Sequence, residues 1–483
     1  MLKFYSKKYL YILITIFWLI TMTTLIMKHY VPEGLQRISF TSPLPDELFE
    51  KQWMGVYLNG EKIGYSYRKI TELEYGYMIS EKMKVKLQVM ENEKEVVTIL
   101  NVKADSLFRL LSFTFRLISD TNIDVSGRME GKTLLVSVKT GAVTSRKKIH
   151  ISDPPYVHLS LVPYIMKKGL NTGSIITIPV INPIDMSQEY VKVKVIGKDS
   201  IMSMGKKKQA YKLKGTFKGF ETTMWITKKG EVLREDSHLG FSLIKETEET
   251  AVQLAKPSID VVAQVAIPFN LSLPFDEIKY LKVRLSGVSL KELEVDGGRQ
   301  RLNGDILEIK KESLVSYSLQ SSKNMDEYLK DTMFIQSSHH AIISKTKEIV
   351  GDEEDLLKIT KLIHEWVYKN IKKVAMITMP IATEVLNMRR GDCNEHTVLF
   401  TALARAAGIP ARIAVGLTYR DGFFYYHAWP EVYLDGWIAV DPTLGQFPAD
   451  ASHIRLLTGD IDRQLQLLSI IGKLKLEGIE FRG

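Results

Sequence analysis

The sequence predicts an α+β protein that consists of an N-terminal transmembrane helix, a large antiparallel β-rich domain and a C-terminal α+β domain. Residues 9–27 form an uncharged apolar stretch. From Trp53 to about Lys256, short runs alternate polar and apolar residues, as half-buried strands do. After residue 338 the apolar spacing becomes helical. With 483 residues, 45% hydrophobic and 25% charged, the chain has the length and composition of a globular protein of several domains.

The N-terminal stretch is predicted to be an uncleaved membrane anchor. Its 19 residues would rise about 28 Å as a helix, close to the hydrocarbon thickness of a bilayer. It exceeds the apolar region of a signal peptide and lacks a small-residue cleavage site, which argues against cleavage. Lys3, Lys7 and Lys8 precede it and favour a cytoplasmic N-terminus. Residues 1–30 are therefore expected to form a cytoplasmic stub and a single span in the inner (cytoplasmic) membrane, with the remaining chain extracytoplasmic.

The charge distribution and the histidine spacing argue against a nucleic-acid partner, a metal site and a cofactor. The formal charge is +9, but the densest basic run, Lys206–Lys208, has no interleaved aromatic residues, so no nucleic-acid partner is predicted. A solvated hairpin edge explains that run best, and weak attraction to an anionic membrane or wall surface is the alternative. His339-His340 and His364-Glu365 lack further partners at ligand spacing, so neither a metal nor a cofactor is expected.

Residues 50–265 are predicted to form an antiparallel, curved or barrel-like sheet. Lys229-Gly230 is a candidate hairpin turn, and turns recur about every ten residues. Residues 270–335 form a further short β-rich stretch, predicted to be a small spacer, and residues 461–483 are taken as a C-terminal tail. Candidate strands of the large sheet are 82–89, 94–102, 133–139, 190–197 and 222–236.

Residues 338–460 contain the candidate active site. Apolar residues at helical spacing follow an acidic run at 352–355, which predicts a helix over 356–371, and a second short helix is expected at 381–388. A third helix is predicted to open at Asp392-Cys393 and to end near Gly408.

Cys393 is the only cysteine of the chain. A lone cysteine is usually a small buried hydrophobe. At a helix N-terminus, however, the partial positive charge favours the thiolate, and free backbone N–H groups can receive an oxyanion. The position therefore favours a reactive thiol.

Residues 422–443 predict two strands joined at Asp435-Gly436, with His427 on the first strand and Asp441 after the second. A two-residue loop would turn Asp441 away from His427. A three-residue loop, 434–436, with Gly436 left-handed, places Asp441 diagonal to His427 on the same face. The three-residue loop is the one predicted.

These residues resemble the transglutaminase-like superfamily, relatives of papain-type thiol enzymes. The matching stretches are RRGDCNEHTVLFTALARAAGIPARIAVG (389–416) and YYHAWPEVYLDGWIAVDPTLGQ (425–446). The resemblance implies Cys393 as nucleophile, His427 as base and acid, and Asp441 as the residue that orients the imidazole. It also implies a helix that carries the cysteine and packs on an antiparallel sheet. No acidic calcium loop of the animal enzymes is seen, and the anchor with a β-rich region looks like bacterial envelope proteins of this kind.

The expected function is that of a membrane-anchored cysteine acyl-transfer enzyme. It would act on peptide or glutamine amides through a thioester, as a protease or amidase, with a protein or peptide as substrate. Amine transfer by a cross-linking transglutaminase is one alternative, and a non-catalytic binding or scaffold protein is another. Trp429 and Trp437 are candidates for the walls of a channel that excludes water, although aromatic residues are more often simple packing.

Overall fold

The computed structural model describes residues 44–90, 92–141, 143–182, 187–217, 220–256, 259–274, 278–314, 325–378 and 380–483. The predicted anchor, residues 9–27, lies outside them. Within these ranges no helix has the length and apolar character required to cross a bilayer.

The β-rich region is a single sheet of 14 antiparallel strands. From β1 (Gln52–Leu58) in the middle, the chain moves strand by strand to one edge at β8 (Val143–His150). It then crosses to the other edge at β9 (Ile175–Ile181) and returns to β14 (Phe241–Lys245) beside β1. The prediction of a large antiparallel sheet is confirmed. The strands are β1 Gln52–Leu58, β2 Glu61–Leu73, β3 Gly76–Val89, β4 Asn92–Ala104, β5 Leu110–Ile118, β6 Asn122–Glu130, β7 Thr133–Thr140, β8 Val143–His150, β9 Ile175–Ile181, β10 Gln188–Ser203, β11 Lys206–Phe217, β12 Phe220–Ile226, β13 Val232–Ser237 and β14 Phe241–Lys245.

The sheet curves around helix α1, Leu161–Lys168, which lies in the crossing between its two edges. A single hydrophobic cluster joins Val136 on β7, Ile178 on β9 and Ile165 on α1. Since strands from both edges meet the same helix, the alternating apolar residues bury one face of the sheet and leave the other to solvent.

The predicted spacer pairs with the predicted tail. Strands β16 Tyr280–Ser286, β17 Gln300–Asn303 and β18 Ile306–Lys310 form a four-stranded sheet with β25 Lys475–Arg482, in the order β17-β18-β16-β25. Their buried residues share one hydrophobic cluster with the C-terminal helices. These two segments therefore pack as part of the same core as the candidate active site.

The C-terminal region contains helices packed on a second antiparallel sheet. Asp355 caps helix α5, Leu356–Asn370, by accepting a hydrogen bond from the Lys358 amide, as the acidic run predicted. The helix predicted at 381–388 is also present, as α6, Ala382–Met388. Among the described residues after α1, the helices are α2 Glu248–Ala251, α3 Val261–Val265, α4 His340–Val350, α5 Leu356–Asn370, α6 Ala382–Met388, α7 Cys393–Ala406 and α8 Ile461–Gln464. The remaining strands are β15 Ile267–Pro268, β19 Lys372–Lys373, β20 Arg390–Gly391, β21 Ala411–Arg420, β22 Phe423–Tyr433, β23 Trp437–Ala439 and β24 Ile454–Thr458.

The segment before and at the start of α6 connects the two large parts of the molecule. Ile381 belongs to the hydrophobic core of the 14-stranded sheet. The backbone amide of Ile377 donates to the Asp120 carboxylate at 3.0 Å, and Asp120 also pairs with Lys94 at 2.7 Å. These contacts fix the segment that precedes the cysteine helix.

Candidate active site

Cys393 is the first residue of α7, as predicted, and α7 begins with a capping box. The Asp392 side chain accepts from the Asn394 amide at 2.9 Å, and the Glu395 carboxylate accepts from the Asp392 amide at 2.8 Å. Thr378 also donates its hydroxyl to Glu395. Burial, followed by the Asp392 charge, raises the pKa of Glu395 to about 8. The nucleophile candidate therefore lies on a firmly held helix end.

Gly391 is needed for close packing. A Cβ atom at this position would lie 2.2 Å from the Cβ of Glu395, a distance that carbon atoms do not tolerate. The absence of a side chain therefore lets Glu395 fold back under the turn and complete the capping box.

The hairpin register is the predicted one. Tyr433 pairs with Trp437, which leaves a three-residue loop, and the Val440 amide donates to the Pro430 carbonyl at 3.0 Å. The left-handed residue was predicted wrongly, since Asp435, with φ 66°, adopts that conformation instead of Gly436. Asp435 is one of the few side chains that tolerate it.

Asp441 faces His427, as that register requires. The Nε2 atom of His427 lies 2.7 Å from Oδ2 of Asp441, and both side chains are buried. The other ring nitrogen, Nδ1, is thereby left for the thiol. Cys393 lies beside His427 and the Ala428 amide, and both act to lower the pKa of its thiol. The three predicted residues thus lie together in the order thiol, imidazole, carboxylate.

A buried threonine connects the cysteine helix with the histidine strand. The hydroxyl of Thr397, one turn after Cys393, donates to the carbonyl of Ala428 at 3.0 Å, next to His427. Thr397 is only 1% exposed, so this bond is shielded from water. It fixes the position of the helix relative to the strand where the thiol and imidazole meet.

Burial changes the ionisation of the thiol from what was predicted. The helix N-terminus was expected to favour the thiolate, but burial raises the pKa of Cys393, and the Asp392 carboxylate raises it further. His427 opposes both. Burial lowers the pKa of His427, but Asp441 and Cys393 outweigh it and raise the pKa to about 9. His427 is therefore the charged group that favours the thiolate.

Sequence reasoning missed three of the groups around Asp441. Nε2 of His453 lies 3.0 Å from the same Oδ2 atom, and Nε2 of His364 lies 3.0 Å from the Asp441 carbonyl. Asp450 in turn lies 3.3 Å from Nδ1 of His453. The only sequence signal was a second histidine 12 residues after Asp441, which no short motif connects with it.

Trp429 does not wall a channel. It is fully buried beneath the site, stacked with His427 at 6.1 Å between ring centroids and edge-on to His453 at 5.1 Å. Trp437 packs against Tyr433 and the Arg412 guanidinium. Trp429 therefore packs in the core beneath the site.

Two histidines and Asp441 also lie close enough together for their ligand atoms to meet at one metal ion. Among the described residues, His427, Asp441 and His453 place one ligand atom each within 4.8 Å of one another. Each of these atoms already takes part in a hydrogen bond within the group. The arrangement is therefore that of a shared carboxylate between two imidazoles.

A comparison with known proteins identifies a family for the segment that carries these residues. Residues 343–442 match the family described as the transglutaminase-like superfamily. An uncharacterized protein of Haemophilus influenzae is 31% identical over 171 residues, which are 29% of this chain and 43% of that protein. The chain thus matches less than half of that relative's length.

Two solved structures are similar to parts of the chain, with low TM-scores. A putative cysteine protease from Cytophaga hutchinsonii is 16% identical, with a TM-score of 0.27, over 43% of this chain and 85% of that one. A β-barrel-like protein from Brucella abortus is 10% identical, with a TM-score of 0.33, over 41% of this chain and 94% of that one. From the family match, residues 343–442 form a transglutaminase-like domain.

Proposed function

We propose that this protein is a cysteine acyl-transfer enzyme that hydrolyses peptide or glutamine amides, with Cys393, His427 and Asp441 as its catalytic residues. The observation that carries the proposal is the helix-terminal thiol beside an imidazole whose far nitrogen is bound to a buried carboxylate. This is the arrangement that activates a thiol nucleophile.

Acylation begins when His427 accepts the thiol proton and the Cys393 sulfur attacks the amide carbonyl carbon. Asp441 stabilises the imidazolium that forms. The backbone N–H of Cys393, at the first helical position, has no intrahelical acceptor and is available to the oxyanion. The C–N bond then breaks, the leaving amine or ammonia takes the proton from His427, and a thioester remains.

Deacylation needs a second nucleophile. Water, deprotonated by His427, attacks the thioester carbon, releases the acid and restores the thiol. A primary amine in place of water gives a new amide, and the enzyme is then a cross-linker. We favour water, which is always present in an exposed extracytoplasmic compartment.

The proposal includes a membrane location. The apolar, uncharged stretch 9–27 with three preceding lysines supports a single span with the N-terminus inside. The catalytic domain would then act on protein or peptide substrates outside the cytoplasm.

The test uses the full-length chain with glutamine-containing peptides and a labelled primary amine, followed by mass spectrometry. We expect cleavage or deamidation by the wild type, little amine incorporation, and neither product with Cys393→Ala. His150→Gln, at an exposed histidine of β8, serves as the control and retains activity. A predominance of amine incorporation identifies the cross-linker, and products that persist in Cys393→Ala refute the nucleophile.

A further inference from the structure

Asp441 is shared by two imidazoles on one oxygen atom. Its Oδ2 lies 2.7 Å from Nε2 of His427 and 3.0 Å from Nε2 of His453. Its Oδ1 accepts from the amides of Thr443 at 2.7 Å and Leu444 at 2.9 Å. Burial raises the pKa of Asp441, but His427 and His453 outweigh it and hold the pKa well below its usual range, so Asp441 is ionised.

The far side of His453 faces a second ionised carboxylate. Asp450 accepts from the Ser452 amide at 2.9 Å and from its hydroxyl at 2.6 Å, and Gln446 donates to it at 3.4 Å. Nδ1 of His453 lies 3.3 Å from the same oxygen that Ser452 uses. A carboxylate accepts but does not donate, so His453 must donate from both nitrogens. It is therefore a completely buried imidazolium between two anions.

The loop that carries Asp450 is held from outside the catalytic segment. The buried guanidinium of Arg299, from the region predicted to be a spacer, donates to the carbonyls of Ala449 at 2.8 Å and Asp450 at 2.7 Å. Glu312 lies 3.5 Å from Arg299 and balances its charge. Hydrogen bonds to both its backbone and its side chain therefore fix the position of Asp450.

Other titratable groups near His453 are accounted for. The His427 ring is 5.8 Å away, with Cys393 beyond it, and is the group that His453 affects directly. Burial lowers the pKa of His364, whose Nε2 lies 3.0 Å from the Asp441 carbonyl and whose ring packs edge-on against Phe447. Arg455, two residues on, is paired with Glu431 and donates to the backbone carbonyls of Glu294, Asp296 and Gly297.

We propose that His453, kept protonated by Asp450, is a positioning residue that sets the pH range in which the Cys393–His427 pair is active. A cation on the same oxygen offsets part of the Asp441 charge. Asp441 then stabilises the His427 imidazolium less, and His427 gives up its proton at lower pH than it would beside Asp441 alone. This inference rests on the proposed function, because it concerns the same thiol and imidazole.

The experiment exploits the single cysteine. The rate of alkylation of the full-length chain by iodoacetamide, a neutral reagent, reports only Cys393, and its pH dependence gives the midpoint of thiolate formation. His453→Gln retains an amide donor for Asp441 but removes the charge. A unit charge 5.8 Å from the His427 ring is expected to shift the midpoint by about one to two pH units at an effective dielectric constant of about 20. We therefore expect the rise of the alkylation rate with pH, the acidic limb of the profile, to move to higher pH by that amount in His453→Gln. The profile of His150→Gln should be unchanged.

Asp450→Asn provides a second, isosteric variant in case His453→Gln fails to fold. Without the anion, His453 loses its proton at lower pH, so the limb should again move to higher pH, by a smaller amount. A profile that overlays that of the wild type in either folded variant, or that moves to lower pH, overturns the inference. A wild-type chain that is alkylated with the expected profile but transforms no peptide refutes the proposed function instead, and leaves the role of His453 intact.

Discussion

The hydroxyl of Thr397 is expected to matter for both stability and activity. Thr397→Val preserves the shape of the side chain and removes only the hydrogen bond to the Ala428 carbonyl. Ala428 is 3% exposed, so water cannot easily replace the lost donor. Leaving a buried acceptor without this partner should lower the free energy of unfolding by about 1–3 kcal/mol.

The effect on activity follows from where the bond lies. It joins the first turn after Cys393 to the residue after His427, so its loss frees the helix to shift relative to the strand. Small displacements of reacting groups are costly, and we expect amide turnover per folded molecule to fall on the order of tenfold to a hundredfold.

Thr401→Val is the matched control. Thr401 is also buried in α7, but its hydroxyl bonds the Thr397 carbonyl within the helix, at 2.7 Å. That carbonyl already accepts an ordinary helical hydrogen bond. Urea unfolding, followed by tryptophan fluorescence, and peptide turnover should both separate the two variants. Equal losses in Thr397→Val and Thr401→Val would refute the idea that the link to the strand matters.

Two further predictions concern the same region. In Gly416→Ala, the new Cβ would lie 1.9 Å from the Ile454 carbonyl and push His453 away from the site. The free energy of unfolding should therefore fall by about 1–3 kcal/mol, and peptide turnover should fall as well. Gly436→Ala, whose new Cβ would have nothing within 4 Å, is the control that should leave both measurements unchanged. Second, the pKa of His453 is raised to about 9 from 6.5 despite burial, so its stabilising contribution is complete below pH 6.5 and is lost as pH rises to about 9. From pH 6.5 to pH 9, the free energy of unfolding should fall by on the order of 3 kcal/mol more in the wild type than in His453→Gln. Urea unfolding of both proteins at both pH values measures this difference, and an equal fall in the two proteins would contradict the prediction.

The helix and hairpin that carry the predicted residues were accessible from the sequence because local chemistry determines them. Asp392 and Glu395 have the spacing of a capping box, and the apolar residues of α7 recur at helical intervals. On β22, alternation alone places His427 and Trp429 on one face. Loop length then brought Asp441 to that face, although the left-handed residue turned out to be Asp435.

The groups around Asp441 could not be predicted in the same way. His453 lies on the loop before β24, and its position depends on β24 lying against β21 at Gly416, 37 residues earlier. His364 lies 77 residues from Asp441, and from sequence it had no visible partner. The ionisation of Cys393 depends on burial, which periodicity does not measure. Tertiary packing determines all three properties.

The segments predicted to be a spacer and a tail also help to position groups of the site. Arg299 holds the loop of Asp450, and Gln300 accepts a hydrogen bond from the Arg455 amide at 2.6 Å, just after His453. Gln300 begins β17, which belongs to the same four-stranded sheet as β25 at the C-terminal end of the described chain. If His453 sets the pH range of the thiol, as proposed, these segments contribute to it, because they fix the carboxylate that keeps His453 charged. A fragment limited to residues 338–460 would contain Cys393, His427 and Asp441 but would lose Arg299, the group that fixes the position of Asp450.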